Sequence, residues 1–139
     1  MVQEGKQFVP FVLPVQAGTS VEFPNHDPFR HQVYSFSPAK TFELKLYGGQ
    51  DVSPVTFDKE GVLPLGCNIH DNMLAYIYVV GTPYFSTTEQ GGDSKITLPA
   101  GAYTVKVWHP NQKAGQGEAQ TVQVTDSAPA TLTFSIDLK

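Results

Sequence analysis

The chain has 139 residues, 9 basic and 13 acidic side chains, a formal net charge of −4 and 40% hydrophobic content. This is enough apolar material for a core, and a charged fraction of 16% is too low for a disordered chain. No basic stripe exists to meet phosphates, which argues against nucleic acid as a partner, and no apolar run approaches the roughly 20 residues of a membrane-spanning helix.

Residues 1–10 (MVQEGKQFVP) lack the charged and apolar regions of a signal peptide, as expected of a mature or trimmed form with a restored Met1. From there, 11 prolines and 12 glycines break the chain every few residues. The runs between them are rich in Val, Thr, Tyr and Phe, the pattern of an all-β sandwich or barrel. Strands are expected over 11–15, 20–24, 31–35, 41–46, 54–57, 61–67 and 75–80. Gln16-Ala17-Gly18-Thr19 reads as a tight turn. Val21 and Phe23, and later Ile77 and Val79, alternate with their neighbours as in half-buried strands. Beyond Gly81-Thr82-Pro83 the texture changes. A polar loop spans 86–94 (STTEQGGDS), and further strands are expected over 95–98, 103–108, 119–124 and 131–136. A boundary near residue 81 gives a first domain of 1–81 and a small β module of 82–139, each small for an independent core.

The chemistry concentrates in Gly66-Cys67-Asn68-Ile69-His70-Asp71-Asn72-Met73. The chain has a single cysteine, so no internal disulfide is possible. Its thiolate is soft, imidazole is intermediate, and a thioether is soft and neutral. Two His and one Cys in a trigonal plane, with a weak axial Met, make a blue-copper site. Cys67, His70 and Met73 supply three such ligands from one loop between two strands. The fourth is expected from Pro24-Asn25-His26-Asp27-Pro28-Phe29-Arg30-His31, with His31 at a strand start as first candidate and His26 as its rival. His109 reads as structural or surface. Structural zinc rarely takes Met, and iron–sulfur clusters need several cysteines. A nucleophilic Cys67–His70 pair would leave Met73 and His31 unexplained.

Several runs extend this pattern. They are Phe8-Val9-Pro10, Ala17 to Asn25, Phe57-Asp58-Lys59-Glu60-Gly61, and the Cys-x2-His-x2-Met loop entering the last strand at Ile77–Val80. With them, Phe8 to Val80 resembles the cupredoxins, in particular their plastocyanin and amicyanin branch. The runs from His31 to Ser37, Phe42 to Tyr47 and Gly66 to Asp71 resemble a narrower bacterial plastocyanin-like, methylamine-utilisation-like group. The resemblance implies a Greek-key β-sandwich of the cupredoxin type. It also implies a smaller transthyretin-like or carboxypeptidase-regulatory-like β module, matched by the turn Leu98-Pro99-Ala100-Gly101-Ala102-Tyr103.

Functionally, the resemblance implies one copper ion cycling between Cu+ and Cu2+, held by His31, Cys67, His70 and Met73. The expected role is single-electron transfer in the periplasm, with no enzymatic activity. Redox partner proteins would dock near His70, over apolar residues such as Pro28, Phe29, Ile69 and Leu74. Copper handling or storage without a redox partner is the alternative. N–H donors to the Cys67 sulfur are expected near Asn68 or Asn25. One departure stands out: many cupredoxins carry Asn directly after the first copper His, and this chain has Gln32.

Overall fold

The computed structural model describes residues 1–28, 30–38, 40–47, 54–67, 73–88, 91–113 and 119–139; the side chains of residues 31, 36, 41 and 45–47 also fall outside that description. The chain forms two compact units, Met1–Ser94 and Lys95–Lys139. Sequence texture puts the break near residue 81, whereas the polar run that follows stays with the first unit. Among the described residues there are strands and no helix.

The first unit contains β1 (Val2–Glu4), β2 (Gln7–Val9), β3 (Val12–Gln16), β4 (Thr19–Val21), β5 (His31–Ser37), β6 (Lys40–Tyr47), β7 (Val55–Phe57), β8 (Gly61–Gly66) and β9 (Leu74–Val80). Each strand expected between residues 11 and 80 forms, within a few residues. Five of them make one sheet in the order β3-β9-β8-β5-β6. The β3–β9 pair is parallel, with Val12 beside Tyr76 and Gln16 beside Val80. The other pairs in this sheet are antiparallel.

The remaining strands pair as β1–β2 and β4–β7. β4 stops at Val21, short of the expected residue 24. The chain beyond it bonds to β1 instead: Gln3 N–H donates to the Pro24 carbonyl at 2.9 Å, and His26 N–H to the Gln3 carbonyl at 2.7 Å. The first strand is thereby fastened beside the segment leading to His31. The Met1 ammonium donates to the Glu22 carbonyl at 3.0 Å, and burial holds its pKa below the ordinary value, partly offset by the Glu22 carboxylate.

Alternation sets the core. In β9 the residues Ala75, Ile77 and Val79 are buried, while Tyr76 and Tyr78 are half-buried on the opposite face. In β8, Leu63 and Leu65 point inward. These pack in one cluster with Phe8, Val15, Val21, Phe23, Val33 and Phe57. Phe42 joins from β6, its ring 5.7 Å from those of both Phe23 and Phe57. A ring-edge contact between Phe11 and Tyr76 (5.6 Å) lies at the β3–β9 edge.

In the second unit β10 (Gly101–Val105) pairs antiparallel with β11 (Gln120–Val124). Tyr103 Oη donates to the Pro99 carbonyl at 2.7 Å, closing the turn before β10. Residues 95–98 and 131–136 are not strands. Residues 131–136 keep the alternating exposure of a strand but lack its ladder; the Gln120 side chain takes the Thr133 carbonyl at 2.8 Å. His109 has a structural part: its Nδ1 accepts the Asn111 N–H at 3.0 Å in a turn that Gln112 also closes.

Candidate metal centre

The β8–β9 hairpin brings the two candidate sulfur donors to one place. Gly66 pairs with Leu74, so the chain leaves β8 into Cys67 and returns through Met73 into β9. Both side chains are buried, Cys67 at 4% exposure and Met73 at 3%, in the same apolar cluster. Cys67 is a free thiol. His70 lies outside the described residues. Among the described residues no three or more His, Cys, Asp or Glu side chains gather; that set excludes His70 and the imidazole of His31.

β5 brings the segment headed by His31 alongside. Tyr34 pairs with Gly66, and two residues earlier the backbone N–H of Gln32 donates to Cys67 Sγ at 3.5 Å. That length is within the reach of a bond to sulfur. The residue immediately after His31 is thus hydrogen-bonded to the candidate thiolate ligand, and His31 itself opens β5. Among the described residues the N–H bonded to this sulfur is that of Gln32; Asn68, one of the positions expected to lie near such a donor, falls outside the described residues. Asn25 is buried, and its Oδ1 accepts the Asp27 N–H at 2.9 Å. The rival ligand His26 is exposed, and its backbone is engaged with Gln3.

The Gln32 side chain lies along β6, and its Nε2 donates to Glu43 Oε1 at 2.5 Å. Two further features were not visible as site residues in the sequence. Asp27 accepts the N–H groups of Gly5 and Lys6 at 2.6 and 3.0 Å, clasping the β1–β2 turn to the loop before His31. Tyr34 lies so close over Gly66 that a Cβ there would stand 2.6 Å from the phenol ring. Of the apolar residues expected to form a docking patch, Leu74 and Pro28 are exposed, while Phe29 and Ile69 lie outside the described residues.

No family model matches the chain, and no curated protein is significantly similar to it. Solved structures are similar. The copper-containing nitrite reductase from Thermus scotoductus SA-01 aligns at TM-score 0.53 and 30% identity, over 57% of this chain and 21% of its own. The chain therefore spans about a fifth of that enzyme's length. A reduced single-residue mutant of amicyanin aligns at TM-score 0.51 and 18% identity, over 58% of this chain and 81% of its own. A purple cupredoxin from Nitrosopumilus maritimus aligns at TM-score 0.48 and 24% identity, over 55% and 84%. With its strand order, its buried Cys67 and Met73 at one sheet end and the alignments at TM-scores 0.53 and 0.51, the chain has a cupredoxin-like fold.

Proposed function

We propose that this chain is a type 1 copper protein that carries single electrons between redox partner proteins. One copper ion, as Cu+ or Cu2+, would be held by His31, Cys67, His70 and Met73. The observation that carries the reading is the buried Cys67 sulfur accepting the N–H of the residue after His31, with Met73 buried beside the paired end of the same hairpin.

The donors present fit a soft ion. A cysteine sulfur among apolar residues that accepts a backbone N–H suits a soft metal, and a buried thioether adds a neutral soft donor. Copper, when bound, supplies the one-electron redox couple. The chain's own residues hold the ligands in place, keep water away from the sulfur through the apolar cluster, and donate N–H to it. A fully liganded site with Met73 in the fourth position leaves no open place for a substrate, so the reading is a carrier and not an enzyme. The partners would be redox proteins docking near His70, with exposed Leu74 and Pro28 at the rim, and the compartment would be the periplasm.

Addition of Cu(II) to the full chain is expected to produce an intense thiolate-to-copper absorption band, absent in Cys67→Ser. A protein that stays colourless after loading would overturn the reading. Reversible one-electron voltammetry then separates a carrier from a copper store, which would hold one oxidation state strongly.

A further inference from the structure

We infer that Gln32 and Glu43 form a positioning pair that aims a backbone N–H at the Cys67 sulfur. The consequence for copper rests on the reading above; the positioning itself does not. A β-bulge lies beside Gln32. In the β5–β6 ladder, His31 faces Tyr47 but Val33 faces Leu44, so two residues of β6, 45 and 46, stand against Gln32 alone. A bulge interrupts the ladder and loosens the local backbone orientation. On its other side, β5 meets β8 at Tyr34↔Gly66, and β8 ends there. Gln32 therefore lies where regular pairing fails on one side and has run out on the other. Its N–H goes to sulfur.

A bond of 3.5 Å to sulfur is long and depends on orientation. The second hold on Gln32 is its side chain. Nε2 donates to the Glu43 carboxylate, an ionised acceptor and so a stronger bond than a neutral pair gives. Glu43 faces Tyr34 across the ladder, which makes it a diagonal neighbour of Gln32 on the same face. Such a span suits a long side chain. Asn, one methylene shorter, would not cover it from the same backbone position. The Gln that departs from the common cupredoxin residue thus serves as a cross-strand tether. Donation of N–H to a thiolate withdraws charge from it and tunes the metal it binds.

The test uses the full chain with Glu43→Leu, Glu43→Gln and Gln32→Leu. Glu43 is exposed, so its replacement leaves the core untouched. In copper-free protein, Glu43→Leu is expected to speed exchange of the Gln32 amide about fivefold while the amides of Val33 and Ser35 hold their rates. Glu43→Gln, which keeps an acceptor, restores the slow rate. In Cu(II)-loaded protein the thiolate-to-copper band shifts in Glu43→Leu and Gln32→Leu and returns to its place in Glu43→Gln. An unchanged Gln32 amide in Glu43→Leu, or equal acceleration along all of β5, overturns the inference. Absence of any copper band in the unsubstituted chain sinks the copper reading instead, and the amide measurement still decides the positioning.

Discussion

Gly66 leads into Cys67 beneath the ring of Tyr34, and any side chain placed there meets the phenol at 2.6 Å. Gly66→Ala forces that ring aside, an overpacking expected to cost about 1–2 kcal/mol in urea unfolding. In a Tyr34→Ala background the added methyl should cost almost nothing, and equal costs in both backgrounds would refute the contact as the cause. That Cys67 and Met73 come together at one hairpin end was legible in the sequence, because it follows from their spacing between two strands. Gln32 was legible only as a departure from a pattern. Its partner was not, since Glu43 lies 11 residues away and a bulge decides which side chains of β5 and β6 meet. Tyr34 over Gly66 was equally hidden, because it depends on strand register.

The β1–β2 hairpin is the element that the sequence did not reveal. Its strands have three residues each, too short for an alternation to register. Its turn places Gly5 at φ 62° and Lys6 at φ 57°, the pair of positive angles that a tight hairpin turn requires. Lysine has no preference for that region, so no turn signal stood in the sequence. The Asp27 carboxylate offsets the strain by accepting both N–H groups. Asp27→Ala is expected to lower stability by about 1–2 kcal/mol, the scale of lost hydrogen bonds to a charged acceptor at a partly solvated site. Lys6→Gly should recover part of that loss by relieving the left-handed residue. If Lys6→Gly destabilises the Asp27→Ala chain further, the turn is not where the strain sits. The longer strands were readable for the opposite reason: β5, β6, β8 and β9 are long enough for their period of two to show.

At the scale of the whole chain, the buried apolar residues described all lie between Met1 and Val79. The described side chains of Lys95–Lys139 are half-buried or exposed. A chain ending at Ser94 is therefore expected to fold and to retain the thiolate-to-copper band of the full chain, as circular dichroism and absorption would report. Loss of fold or band on that truncation would show that the first unit does not stand alone. The cupredoxin-like half was readable because its core alternation and the placing of Cys67 and Met73 between two strands agree. The second half was read less well: 131–136 alternates like a strand, yet a side chain takes a carbonyl that a ladder would use. Alternation reports which faces differ in exposure and is silent on whether a neighbouring strand is there to pair with.

The close fit of Tyr34 on Gly66 also constrains the order in which this site can change over generations. A side chain gained first at 66 crowds the residue that leads into the sulfur, so that step is disfavoured while the ring is present. A smaller residue gained first at 34 leaves only an opening at a half-buried surface. Lineages that depart from this pair would therefore pass through a reduced residue 34 before position 66 acquires a side chain.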